Sequence, residues 1–257
     1  MNHKFAAQLY TVREELKTGI RPIFKTLKEM GWAGVQISAL PKDYDKNEVA
    51  LALKENDLQA AGMHVSFDRL KNDLAGVLQE VDLYGTKDII LPFIQKDSRT
   101  SERYVEIKKL LNDISSNHPD YRVSYHNHDF EFDIEIEGQD GLHYLLDPHD
   151  GNQILAEIDV YWIKKAGFDP LEFIGPYANR MPIIHLKDMT SDSSQTFAEV
   201  GTGVIDFVPI LQWGEANGIE WYAVEQDICE RPPLESLEIS LKNLQKFAKE
   251  ISNQEVR

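Results

Sequence analysis

Ile183-Ile184-His185-Leu186-Lys187-Asp188 reads as the end of a buried strand: a short apolar run that breaks into side chains able to bind a metal or carry a proton. Three other segments repeat the pattern: Tyr125-His126-Asn127-His128-Asp129-Phe130-Glu131, Glu157-Ile158-Asp159-Val160-Tyr161-Trp162 and Ala223-Val224-Glu225-Gln226-Asp227. A carboxylate at the inner end of a strand is costly to bury unless a cation or a proton compensates it. Four such ends meeting in space would form a divalent-metal site.

Outward from these segments the chain alternates. Candidate strands at residues 5–10, 34–37, 59–64, 88–92, 122–126, 154–159, 183–187 and 221–225 are separated by helical patterns at 21–30, 47–56, 70–84, 101–117, 141–146, 170–174, 207–217 and 234–251. Strand then helix, repeated, argues for a parallel sheet. Eight units in a chain of 257 residues predict a closed (β/α)8 TIM barrel, an α/β fold built as a single domain over 1–257. Gly31, Gly85 and Gly218 mark helix ends. The polar tail 252–257 is expected to fray.

Functional side chains of such a barrel sit at the carboxyl ends of its strands, and the period of two decides which point inward. Asp159 shares a face with Glu157, His185 with Ile183 and Lys187, Glu225 with Ala223 and Asp227, and His126 with Ser124 and His128. Asp159, His185 and Glu225 form the firmest metal trio. Mixed oxygen and nitrogen donors suit Mn²⁺, Mg²⁺, Co²⁺ or Zn²⁺ without choosing among them. The alternative, a hydrogen-bonded core histidine with amide-capped acids, leaves the desolvation cost of the carboxylates less well answered. The fourth ligand stays open among Glu131, His126 and His128. Glu131 balances a dication's charge better than imidazole does, whereas the histidines could instead orient ligands or touch substrate hydroxyls.

Gln8, Tyr10, Gln36 and His64 close the first three strands and would line the mouth, with Gln8 and His64 binding hydroxyl groups; Trp162 and Phe67 could wall a sugar ring. The stretch 199–207, Glu199-Val200-Gly201-Thr202-Gly203-Val204-Ile205-Asp206-Phe207, has glycines that let backbone amides approach a ligand. A lone Gly-X-Gly is a weak signal, so a tight loop before a helix is the better reading than a phosphate cradle, and the scarcity of Lys and Arg near the predicted mouth argues against a phosphorylated substrate.

The formal charge of −16, from 43 acidic and 27 basic residues, argues against a nucleic-acid partner. Cys229 stands alone, which rules out an internal disulfide and suits a reducing compartment. No apolar run reaches the ~18 residues that span a bilayer, and Met1-Asn2-His3-Lys4-Phe5 lacks a signal-peptide pattern. The expectation is a cytoplasmic protein with no membrane partner, for which a homo-oligomer is allowed but not specified.

The whole chain resembles the sugar phosphate isomerase/epimerase group of the xylose-isomerase-like TIM barrel superfamily. The resemblance is carried by Gln8-Leu9-Tyr10-Thr11-Val12-Arg13, Tyr125-His126-Asn127-His128-Asp129-Phe130-Glu131-Phe132, Asp159-Val160-Tyr161-Trp162, His185-Leu186-Lys187-Asp188-Met189, Glu199-Val200-Gly201-Thr202-Gly203 and Val224-Glu225-Gln226-Asp227. It implies a divalent metal held by a Glu, Asp, His, Glu set, of which Asp159, His185 and Glu225 match the last three. The chain departs at the first: His126 stands where similar ketose epimerases carry glutamate, and Glu131 matches a second glutamate nearby. The group also includes inosose dehydratases and enzymes acting on 3-keto sugars.

The expected chemistry is metal-dependent proton abstraction next to a carbonyl of a keto-sugar or related polyol, by an isomerase or epimerase. Glu225 would serve one face of the carbohydrate and Glu131, or a histidine of the His126/His128 pair, the other. Lys187 or His185 would neutralise the oxyanion. The same enolate could expel a β-hydroxyl, which would make the protein a dehydratase or lyase. An abasic-site endonuclease would need a cationic groove, and a non-catalytic sugar-binding barrel would leave the strand-end acids unexplained.

Overall fold

The computed structural model describes residues 1–255; Val256 and Arg257 lie outside the described residues. Eight parallel strands form the wall: β1 (Phe5–Gln8), β2 (Gly34–Ile37), β3 (Gln59–His64), β4 (Asp88–Leu91), β5 (Arg122–His126), β6 (Leu155–Glu157), β7 (Ile183–Leu186) and β8 (Trp221–Val224). They pair in the order β6-β5-β4-β3-β2-β1-β8-β7. The remaining seam, between β6 and β7, is bridged by Asp159 opposite His185, with the His185 amide donating to the Ile158 carbonyl at 2.9 Å. The result is the expected eight-stranded parallel barrel ringed by helices.

The ring contains α1 (Ile20–Met30), α2 (Lys46–Glu55), α3 (Phe67–Asn72), α4 (Leu74–Tyr84), α5 (Ser101–Asn117), α6 (Gly141–Leu146), α7 (Val160–Lys165), α8 (Pro170–Ile174), α9 (Phe207–Ala216) and α10 (Pro233–Glu255). Side-chain caps start many of them. Asp45, Ser66, Thr100, Asp140, Asp159, Asp169 and Asp206 each accept from a backbone amide in the first turn, satisfying donors that have no helical partner.

The structure shortens the first strand, expected over 5–10, to Phe5–Gln8, and changes three other boundaries more substantially. The single helix expected over 70–84 is two, because Asp73 leaves helical geometry (φ −141°) and turns its carboxylate over Gly76. Strand β6 stops at Glu157, because Asp159 accepts from the Tyr161 amide at 3.0 Å and starts α7, a helix absent from the expected pattern. The tail expected to fray from residue 252 continues α10 as far as Glu255.

Two apolar regions fill the molecule. The larger lies between strands and helices and includes Phe5, Phe24, Trp32, Tyr104 and Leu244. The smaller, Ile90, Ile183 and Ala223, with Trp221 packed against it, fills the barrel's inside. It needs a glycine beside it: a Cβ on Gly62 would sit 2.8 Å from Ile90 Cδ1 and 2.9 Å from Ile183 Cδ1, and its φ of +89° already favours glycine. Above this plug the inward positions turn polar. Ile183 and Ala223 therefore set the register that points His185 and Glu225, two residues on, into the mouth.

Candidate active site

The polar mouth has a lower and an upper layer. In the lower layer Gln8 and Gln36 cross-link the first two strands, with Gln8 Nε2 donating to Gln36 Oε1 at 2.6 Å. Gln36 in turn donates to Glu157 and accepts from His185 Nε2 at 2.6 Å. Glu157 Oε2 lies 2.8 Å from His64 Nε2, 3.2 Å from His126 Nδ1 and 3.2 Å from His185 Nε2. Burial alone would push the Glu157 carboxyl up, but the charge and hydrogen bonds of these imidazoles hold it well below the usual carboxylate range. Glu157 is thus a fully buried anion that orients three imidazoles.

The upper layer gathers the three strand-end residues expected to bind a metal, with His126 beside them. Donor atoms of His126, Asp159, His185 and Glu225, one from each, lie within 4.8 Å of one another, and all four residues are buried. His185 Nδ1 is 3.2 Å from Glu225 Oε2 and 3.9 Å from Asp159 Oδ2; His126 Nε2 is 3.9 Å from the same Asp159 oxygen. The capping bond of Asp159 uses Oδ1 and so aims Oδ2 at this group. Lys187 joins from the side, its ammonium 3.0 Å from Asp159 Oδ2, 2.8 Å from Glu225 Oε2 and 2.8 Å from Asp227 Oδ2.

In this buried space two cationic side chains, Lys187 and His185, face the carboxylates of Glu157, Asp159, Glu225 and Asp227. Burial would favour neutral Lys187, but Asp159, Asp227 and Glu225 keep it an ammonium well above its ordinary range. Burial would lower the His185 pKa too, yet Glu157 and Glu225 lift it to about 10. His126, where desolvation prevails and His185 adds repulsion, falls to about 3 and stays neutral. Burial raises Asp159 to about 6 despite Lys187 beside it. Burial opposes ionisation of Glu225, but Lys187 and His185 keep it ionised.

These residues fit a divalent metal. Asp159 Oδ2 is buried without a hydrogen-bond donor, since the nearby Lys187 ammonium is not aligned for one. Two imidazoles and two carboxylates converge, and the Gln36 bond to His185 Nε2 leaves Nδ1 on the ligand side. Binding a dication there would displace the extra proton that His185 carries. A second convergence, His64, His126, Glu157 and His185, fits less well, because its carboxylate is already engaged by Gln36 and His64.

Of the three candidates for the fourth ligand, the structure brings His126 to the Asp159, His185 and Glu225 donors. Glu131 is fully buried and stands outside both convergent groups. Its two oxygens accept from the Tyr125 hydroxyl at 2.7 Å and the His128 amide at 2.8 Å. Desolvation lifts its carboxyl to about 7 against those two hydrogen bonds. It shapes the loop after β5 rather than reaching the site.

The mouth opens into a cavity of about 810 Å³ lined by His64, His126, His128, Trp162, Lys187 and Glu225, among others. Of the residues expected at the substrate, His64 and His128 line this cavity and Gln8 does not. Gln8 and Gln36 are fully buried and support the ligands from below. Trp162 walls the cavity as expected, but Phe67 lies under Arg103 and Lys71 instead. The glycine loop binds an internal anion: the amides of Gly201, Gly203 and Ile205 donate to the Asp188 carboxylate at 3.0, 2.8 and 3.1 Å. Those amides are spent, which confirms the tight-loop reading.

Glu157 escaped the sequence reading as a site residue, although its position two residues before Asp159 placed it on the same inward face. Arg99, which also lines the cavity, left no signal, because loop 92–100 has no periodicity to say which side chain turns inward.

Among known proteins, no family model matches the chain. An inosose dehydratase of Clostridium tetani is 26% identical over 164 residues, which are 56% of this chain and 54% of that protein. The chain spans about half the length of the curated relatives it matches. A crystal structure of a sugar phosphate isomerase/epimerase from Parabacteroides distasonis superposes with a TM-score of 0.77 at 19% identity, covering 95% of this chain and 98% of that one. The probable 3-DHS dehydratase AsbF of Bacillus anthracis gives 0.66 at 15% identity, covering 94% and 98%. An IOLI protein with a bound zinc atom gives 0.68 at 13% identity, covering 98% of each chain. The fold is that of the xylose isomerase-like TIM barrels.

Proposed function

We propose that the chain is a metal-dependent dehydratase acting on a keto-polyol or keto-sugar, removing a proton next to the carbonyl and expelling a neighbouring hydroxyl. The observation that carries this reading is the pair Lys187 and Glu225, an ammonium 2.8 Å from a carboxylate, at the edge of the His126, Asp159, His185, Glu225 group and facing one cavity. A divalent metal held by those four residues would supply Lewis-acid polarisation of the substrate carbonyl.

The chain's own groups perform the proton steps. Glu225 is ionised and presents Oε1, which takes no hydrogen bond among the described residues, while Oε2 faces Lys187 and His185. Glu225 takes the proton from the carbon beside the carbonyl. Lys187, held as an ammonium by three carboxylates, gives a proton to the departing hydroxyl, which leaves as water. Acid and base are neighbours, so both act on one side of the substrate. Trp162 and His128, ring centroids 5.2 Å apart, cover the cavity wall and limit water there.

An epimerase needs a second proton carrier for the opposite face. Glu131 was one expected carrier, beside a histidine of the His126/His128 pair, and both of its oxygens are engaged, by the Tyr125 hydroxyl and the His128 amide. This shifts the preference from epimerisation to dehydration, and the partial likeness to inosose dehydratases supports the same choice. Epimerisation stays a second reading on the strength of His128, a cavity-lining imidazole whose Nδ1 has no hydrogen-bond partner.

Incubation of the Mn²⁺-loaded protein with inososes and ketoses in deuterated water tests the choice. Dehydration yields an enone or its tautomer with loss of water. Epimerisation yields deuterated substrate with every hydroxyl retained, and neither outcome across the panel would refute both readings.

A further inference from the structure

The cavity has a cation at each end of one aromatic wall. At the inner end, Lys187 Nζ lies 5.6 Å from the centre of the Trp162 ring. Trp162 adjoins His128 at 5.2 Å, and His128 stacks on Phe130 at 5.2 Å and 17°. At the outer end the Arg99 guanidinium lies over Phe130, 3.3 Å from its centroid, and 5.2 Å from that of Phe93. All six residues line the same cavity.

The two cations differ in their partners. Lys187 is surrounded by three carboxylates. Arg99 donates Nε to the Ile94 carbonyl at 3.1 Å, and among the described residues no carboxylate comes within 4.0 Å of it. Its two terminal amino groups donate to no protein acceptor among those residues. Stacking fixes the plane of the guanidinium and the Ile94 bond fixes its rotation. The remaining fork is preorganised, and a planar fork of N–H donors matches the paired oxygens of a carboxylate or phosphate. In a chain of net charge −16, with Asp129, Glu225 and Asp227 on the same cavity, an unneutralised fixed cation is the feature that needs a ligand.

We infer that Arg99 is an anion-binding residue, and that the substrate carries a carboxylate or phosphate at the end remote from its carbonyl. The inference rests on the proposed function in placing the carbonyl near Lys187 and Glu225. The aromatic wall takes the face of the carbon skeleton between the two ends. This gives the pocket a direction: reacting end at Lys187, charged end at Arg99. A residue that merely pinned the loop between β4 and α5 onto Phe130 would confer no preference for charge.

Titration calorimetry with and without Mn²⁺ tests it on matched probes, D-fructose against D-fructose 6-phosphate and D-glucose against D-glucuronate. The expected result is at least ten-fold tighter binding of one charged probe than of its neutral partner, and which pair shows it separates phosphate from carboxylate. Arg99→Gln should abolish that preference while leaving the neutral partner's affinity within about two-fold. Arg99→Lys, which keeps the charge without the fork, should retain part of it. Equal binding of charged and neutral probes by the unaltered protein, or a preference that survives in R99Q, overturns the inference. Because binding is read directly, a protein that prefers the charged probe yet turns over nothing upholds Arg99 and sinks the dehydratase.

Discussion

Both ends of the barrel bury charge, and they treat it differently. At the amino-terminal floor, Arg122 grips Asp88 with two bonds of 2.6 Å, one to each oxygen, and reaches Glu220 from its other side. Both Asp88 oxygens have a donor. At the carboxyl-terminal mouth, Asp159 Oδ2 and Asp227 Oδ2 are buried with an ammonium beside them but no aligned hydrogen bond. The floor is a closed network, and a closed network serves stability. The mouth leaves acceptor capacity unspent at the point where a ligand can enter, the expected signature of a site built for chemistry.

Substitutions at the two ends should therefore fail in opposite ways. Glu225→Gln at the mouth should lower turnover on the substrate found by the panel by on the order of 10³-fold or more, with an unfolding midpoint close to that of the parent. Comparable turnover would remove Glu225 from the mechanism. Arg122→Met at the floor should do the reverse. It strands Asp88 without its partner and should cost about 3 kcal/mol in denaturant unfolding, while activity per folded molecule holds. A loss of activity without a loss of stability would erase the distinction between the ends.

Glu131 sharpens the comparison as a further buried carboxylate, satisfied like the floor but adjoining the mouth. Its pKa is raised from 4.5 to about 7, mainly by desolvation. The folded state then holds a proton more tightly than the unfolded chain does. Its contribution is fully present below about pH 4.5 and is lost as pH rises through about 7. Glu131→Gln cannot ionise, so across that interval the parent should lose stability relative to the variant, by up to about 3 kcal/mol. A difference between the two that does not change with pH would show that Glu131 does not titrate there.

Much of this was legible in the sequence, for identifiable reasons. The alternation of strand and helix is set by local apolar periodicity, so the barrel was readable. Asp159, His185 and Glu225 follow buried runs, and the period of two fixes where such ends point. The choice among Glu131, His126 and His128 was not legible, because the place of Glu131 depends on a hydroxyl and an amide that the turn at Phe130–Asp133 brings to it. Gln8 was misread because depth at a strand end separates a ligand's support from a pocket lining, and depth is a tertiary property. The break at Asp73 was missed because an exposed aspartate inside a helical pattern gives little warning that its own side chain will cover a glycine three residues on.

Asp159 and His185 also close the ring, for the bridge between them spans the seam that β6 and β7 leave open. The pair that offers an oxygen and a nitrogen to the upper layer is thus the latch of the barrel itself. Whatever those side chains grasp will tighten the last joint of the cylinder, so occupancy and mechanical integrity should rise and fall together. A change at either position strikes architecture and chemistry at once. Glu225, outside that latch, is the position where the two can be told apart.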